Sequence, residues 1–219
     1  MIDYRSLKLQ QGKRFGALAD ELTPAEWDAP SLCEGWRNRD VIGHLVVGNT
    51  YPLVRIVAKV ARQRGDVPRA SYLESIRRAD QDEPRRLVEE LVASFEHPRG
   101  LGRIIKNPDQ LVDNMIHELD IRRSVGKPHP FEPDAMAAAL EALPHISSKF
   151  FDPAANARGL SLVATDLPWS HEHGHDPVVR GTGEQLLLAV GGREAGFDGL
   201  KGYGVALLRS RVRPATAAA

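Results

Sequence analysis

Asp113 and His117 stand four positions apart in a chain of 219 residues. On a helix that spacing brings a carboxylate and an imidazole to one face, both with lone pairs suited to a cation. Asp120 follows one turn later. The same pair also serves as ordinary support on a helix surface, and a metal site needs at least a third ligand from elsewhere. His44 is one candidate. Gly43 precedes it, and a residue without a side chain lets a backbone or a ligand come close. The run His171-Glu172-His173-Gly174-His175-Asp176 is richer in ligand types. It reads either as a solvated polar loop between strands or as a competing metal site. Cys33 is open to two readings, a buried structural thiol or a nucleophile. Gly181-Thr182-Gly183 opens a helix, but the third glycine and the βαβ setting of a dinucleotide-binding turn are missing, and there is no phosphate-loop pattern.

The elements that must position these groups are mostly helical. Asn107–Gly126 reads as a helix with Asn107 as its cap, Pro108 in its first turn, Arg122 and Arg123 in its last, and Gly126 after it. Leu111, Met115, Leu119 and Arg122 fall on one side of it, widened by Val112, Ile116 and Ile121. Upstream, Tyr4–Leu22 is helical with Leu7, Phe15, Leu18 and Leu22 inside. Thr23-Pro24-Ala25-Glu26 is a capping box for a short helix. Leu32-Cys33-Glu34-Gly35-Trp36 is a turn. With Asn38 as cap, a long helix is expected from Arg39 to about Arg64, buried on a broad side that includes Val54 and Val57. A short helix over Ser71–Asp80 and a long one over Pro84–Phe95 follow. Four long amphipathic helices with modest connections imply an up-down four-helix bundle, which builds metal sites between facing helices.

After the proline-rich connector Lys127–Pro133, an Ala-rich helix from Asp134 to Phe151 is interrupted at Pro144. The texture then changes. Gly159–Thr165, Pro177–Gly181 and Tyr203–Leu208 read as strands, and Thr182–Val190 as a helix. The fold class expected is therefore α + α/β. Residues 1–152 form a metal-binding helical bundle, 153–213 a small α/β domain, and 214–219 a frayed, disordered tail.

Lys+Arg and Asp+Glu both number 29, so the formal net charge is zero, which argues against a nucleic-acid partner bound through bulk charge. A single cysteine excludes an internal disulfide and fits a reducing compartment. No run approaches the ~18 apolar residues of a membrane span, and the N-terminus lacks signal-peptide architecture. The expectation is a cytoplasmic protein without a membrane partner, monomeric or homodimeric.

Three segments together carry a family resemblance. Trp27-Asp28-Ala29-Pro30-Ser31-Leu32-Cys33-Glu34-Gly35-Trp36, then Asp40-Val41-Ile42-Gly43-His44-Leu45, then Asp113-x-x-x-His117-x-x-Asp120-x-Arg122-Arg123 resemble the mycothiol-dependent maleylpyruvate isomerase family, which belongs to the DinB-like metal-binding four-helix bundles. Gly159-Leu160 through Thr165-Asp166, Trp169, Val179-Arg180-Gly181, Gly192-Arg193 and Leu200–Gly204 are similar to its small sterol-carrier-like C-terminal domain.

The resemblance implies a divalent metal, usually zinc, held by His44, Asp113 and His117. The family's usual acid is Glu, where this chain has the shorter Asp113. Asp120 would orient an imidazole, and Arg193 would supply a cation for a carboxylate-bearing substrate or thiol. Three protein ligands leave an open position, as in catalytic zinc sites. In the family that position meets water or a low-molecular-weight thiol, here mycothiol. For an isomerase, the thiolate adds to an activated double bond of a small-molecule electrophile, the adduct rotates, and elimination releases the trans isomer. For a thiol S-transferase the product stays conjugated. The alternative is a non-catalytic divalent-metal-binding protein with a regulatory or interaction role.

Overall fold

Proline and capping residues set the helix boundaries in the computed structural model, which describes residues 2–148, 151–172 and 174–212. His173, residues 149–150 of the expected Ala-rich helix and the expected tail 214–219 lie outside the described residues. The chain divides into two compact units, one spanning Asp3–Pro128 and one beginning at His129.

The first unit contains α1 (Tyr4–Glu21), α2 (Pro24–Asp28), α3 (Asn38–Thr50), α4 (Leu53–Arg62), α5 (Val67–Ala79), α6 (Pro84–Glu96) and α7 (Asn107–Ser124). Helices α1, α6, α3 and α7 pack in a ring, each on the next, and α5 lies along α3. The capping box forms as the sequence indicates: Thr23 Oγ1 accepts from the Glu26 amide, and Glu26 accepts from the Thr23 amide at 2.8 Å. Lys127 also donates to Glu26 at 2.7 Å. That bond, followed by those from Thr23, lowers the Glu26 pKa to about 2. Phe15, Leu18, Val41, Ile42, Leu45, Val46, Leu87, Leu91, Phe95 and Ile121 form the apolar centre. Residues that fully bury side chains of this size typically contribute about 1.5–3 kcal/mol each through their apolar surface.

Several expectations are corrected here. The helix expected over Arg39–Arg64 is two helices. Pro52 offers no amide hydrogen and pushes Tyr51 to an extended conformation (φ −74°, ψ 134°), so α3 stops and α4 starts afresh. Val54 and Val57, expected inside, are 75% and 57% exposed, because the break turns α4 away from the bundle's apolar centre. Asn38 and Asn107 are the first helical residues rather than caps; Arg37 and Lys106 occupy the cap positions. Freed from capping, Asn38 donates to Glu26 O and accepts from Ser124, while Asn107 accepts from Lys8.

The second unit contains α8 (Pro133–Ala142), α9 (Pro153–Ala157), β1 (Ser161–Ala164), β2 (Ser170–His171), β3 (Val178–Gly181), α10 (Gly183–Val190) and α11 (Val205–Arg211). The sheet runs β2-β1-β3, with β1 antiparallel to β2 and parallel to β3, Leu162 facing His171 and Val179. Thr182 caps α10 through a reciprocal pair with Gln185. The strand expected at Tyr203–Leu208 is instead the start of α11. Only Leu208 of α11 is fully buried, the one-sided burial of a helix lying on a surface. The third strand is Ser170–His171, so His171 sits in a strand rather than in the loop expected from it to Asp176. Helix α8, assigned above to the bundle, packs on α10, with Gly183 leaving room for the Met136 side chain. The division between the compact units falls at residues 128/129 along the chain.

Candidate metal centre

Two neighbouring elements bring the ligand types together. On α7, Asp113 and His117 share a face, and His117 Nε2 lies 3.5 Å from Asp113 Oδ1. On α3, His44 presents its ring to the same place: the His44 and His117 rings meet edge-on with centroids 5.1 Å apart. One ligand atom from each of His44, Asp113 and His117 falls within 4.8 Å of the others. The shorter aspartate therefore still reaches the cluster.

Gly43 explains how His44 gets there. A Cβ at Gly43 would press into the Ser75 carbonyl oxygen and crowd the Ala79 amide, so the missing side chain is what lets α3 and α5 lie close. The backbone that Gly43 admits is that of α5. The same approach brings Ser71 Oγ to 3.3 Å from His44 Nδ1. Trp36 packs its ring on His44 at 5.0 Å and stacks on Tyr72 at 6.4 Å.

His117 is buried, and Asp120 Oδ2 lies 3.0 Å from its Nδ1. With Nδ1 bonded to Asp120, Nε2 is the nitrogen that faces Asp113. Burial disfavours the imidazolium, yet the Asp113 charge and the hydrogen bonds to Asp120 and Cys33 outweigh it and raise the His117 pKa to about 10. A site that holds a proton this firmly is electrostatically prepared for a cation. The donor set fits a borderline divalent ion: two imidazole nitrogens, one of them on the carboxylate-backed His117, and one carboxylate.

The remaining sequence candidates fall elsewhere. Cys33 is buried, with Sγ 3.0 Å from Asp120 Oδ2 and 3.9 Å from His117 Nδ1, on the side of the ring away from Nε2. Cys33, His117 and Asp120 form a second group with ligand spacing. No spacing in the sequence signals it, since 87 positions separate Cys33 from Asp120. His171 lies in β2, its ring 6.0 Å from that of His145. Neither His171 nor His175 belongs to a ligand cluster among the described residues. Arg193 is half-buried in the second unit, before a 3₁₀ turn at Glu194–Phe197, and donates to Gly191 O at 3.2 Å.

Comparison with known proteins agrees with this architecture. Residues 9–99 match the family model of the mycothiol maleylpyruvate isomerase N-terminal domain. No curated protein matches the chain. A crystal structure of the mycothiol-dependent maleylpyruvate isomerase is similar over 92% of this chain and 92% of its own, with a TM-score of 0.58 and 16% identity. A crystal structure of a histidine-to-alanine mutant of the mycothiol-dependent maleylpyruvate isomerase is similar over the same shares at 14% identity and a TM-score of 0.58. At these identities the likeness is one of fold.

Proposed function

We propose that the chain, whose residues 9–99 match the family model of the mycothiol maleylpyruvate isomerase N-terminal domain, is a metal-dependent enzyme using a low-molecular-weight thiol, mycothiol, against a small electrophile. The reaction is a maleylpyruvate isomerase-like isomerisation or a thiol S-transfer. The observation that carries this reading is the convergence of His44, Asp113 and His117 within 4.8 Å. These three would hold a divalent ion, zinc by the nature of the donors. When bound, such an ion acts as a Lewis acid that favours the deprotonated form of a thiol or water at its open position.

The chain's own residues supply the rest. Asp120, buried beside His117, fixes the imidazole so that Nε2 faces the shared centre. Trp36 and Ser71 hold the His44 ring from two sides. In this reading Arg193 binds a carboxylate of substrate or thiol. The absence of any described helix long and apolar enough to cross a membrane is compatible with work in the cytoplasm, where such thiols are kept reduced.

Zinc content of protein purified without a histidine tag tests the site. About one equivalent is expected in the wild type and background in His44→Ala; equal content in both refutes the placement. Incubating the zinc-loaded protein with mycothiol and a panel of electrophiles then separates enzyme from binder. Isomerised product or a thiol conjugate supports the proposal. Metal binding with neither product leaves the non-catalytic alternative as the better reading.

A further inference from the structure

The side of His117 away from Asp113 is as closely built as the side facing it. Asp120 Oδ2 lies 3.0 Å from His117 Nδ1 and 3.0 Å from Cys33 Sγ, so one carboxylate oxygen accepts from both. Asp120 is 0% exposed, His117 5% and Cys33 8%. In such surroundings a carboxylate needs its donors, and each one removed is costly.

The loop that delivers Cys33 is fastened at both levels. Ser31 Oγ donates to Trp36 O at 2.9 Å, and the Cys33 amide donates to Ser31 Oγ at 3.1 Å. The Leu32 amide donates to the Asp120 carbonyl at 3.1 Å, tying the loop to α7 at the residue whose side chain Cys33 meets. Gly35, at φ +80°, makes the turn that returns Trp36 to His44. One short loop thus supports both histidines of the centre.

We propose that Cys33 is a positioning residue for the metal centre. Its thiol donates to Asp120 and holds that carboxylate against His117 Nδ1, so that the Nε2 lone pair faces His44 and Asp113. The inference rests on the metal site proposed above. It assigns the cysteine a hydrogen-bonding role and removes it from the nucleophiles: its sulfur lies on the Nδ1 side of the ring. The same three groups have ligand spacing, but an ion among them would require a buried thiolate beside a carboxylate. The geometry instead has Cys33 Sγ donating to Asp120 Oδ2 at 3.0 Å.

The test is the zinc dissociation constant, measured by chelator competition on the full chain, together with urea unfolding of the metal-free protein. Cys33→Ala is expected to weaken zinc about tenfold, the lower end of what outer partners of metal ligands contribute. Cys33→Ser keeps a donor, on a shorter bond, and is expected to recover most of the loss. In an Asp120→Ala background, Cys33→Ala is expected to cost nothing more. Should Cys33→Ala fold poorly, Cys33→Val fills the space without a donor and takes its place.

Unchanged zinc affinity in the variant lacking a donor overturns the proposal, as does equal weakening by Ser and Ala, or additive losses with Asp120→Ala. A packing role alone would lower unfolding stability and leave the folded protein's zinc affinity where it was. A second zinc equivalent that disappears with Cys33→Ser would make the cysteine a ligand and also overturn the proposal. If His44→Ala binds zinc as the wild type does, the metal site itself fails. If only the Cys33 variants behave as wild type, the inference fails and the site stands.

Discussion

His117 and Glu118 are neighbours on α7, both buried, yet they face different partners. Glu118 faces α1. Its Oε1 accepts from Arg14 at 2.8 Å and Arg122 at 2.7 Å, and its Oε2 from Gln11 at 2.5 Å and Arg14 at 2.9 Å. Arg122 reaches on to Glu21 at 2.5 Å. About two turns toward the N-terminus, Gln110 accepts from Lys8 at 2.8 Å, a lysine whose pKa is lowered by burial and then by Arg5. On this face the Glu118 carboxylate meets protein cations, while Lys8 donates to the neutral amides of Asn107 and Gln110. His117 faces α3 and the Ser31–Trp36 loop, where Asp113, His44 and Asp120 gather around it. On that face lone pairs meet lone pairs, with a proton between some of them. The comparison teaches that a buried polar stripe is read from its partners. A lattice of opposite charges is a fastening, whereas converging acceptors suit a cation.

The largest expected effect breaks the closed face. Glu118→Ala strands Arg14 and Arg122 without their shared carboxylate and should cost about 3–5 kcal/mol in urea unfolding. The molecules that remain folded should bind zinc with wild-type affinity. If zinc affinity falls in step with stability, the two faces are not independent.

The opposite pattern is expected on the other face. Zinc at a hundredfold excess over its dissociation constant should stabilise the wild type by about 2.7 kcal/mol, and His44→Ala should abolish that increment. Differential scanning fluorimetry with and without zinc reads it directly. Stabilisation that survives His44→Ala would show that zinc binds elsewhere.

Gly43→Ala sharpens the geometry between them. The added methyl meets the α5 backbone and should destabilise the protein by about 1–3 kcal/mol, the usual range for overpacking. Because α3 must shift to accept it, zinc affinity should fall as well, which a calorimetric titration would detect.

The mildest expected effect near neutrality concerns pH. The folded-state pKa of His117, about 10, lies above its ordinary 6.5. Its charge therefore stabilises the metal-free fold fully below pH 6.5, and that contribution is lost as pH rises through about 10. Unfolding midpoints of the metal-free protein should decline between those values. Zinc binding must displace the same proton, so its apparent affinity should rise with pH across the window; a flat profile would contradict the assignment of Nε2 to the centre.

Much of this was legible before any coordinates. Thr23-Pro24-Ala25-Glu26 announces its helix because capping is a local hydrogen-bonding pattern. Asp113 and His117 announce a shared face because helical spacing is fixed. The break at Pro52 was equally local, and it is missed when that proline is counted among apolar residues instead of as a residue lacking an amide hydrogen. Val205-Ala206-Leu207-Leu208 is different in kind. A short apolar run suits a strand or a buried helical turn, and only its packing on neighbouring elements decides.

The sequence by itself determined the capping box at Thr23–Glu26, the shared face of Asp113 and His117, the mixture of a helical unit with a small α/β unit, and the identity of the ligand types, since each depends on contacts within a few residues. Tertiary structure alone decided that His44 crosses to the Asp113–His117 face, that Arg14 reaches Glu118, and that Cys33 donates to Asp120. Those partners lie dozens of positions apart along the chain, and only the close packing of helices and loops in three dimensions brings their atoms within bonding reach.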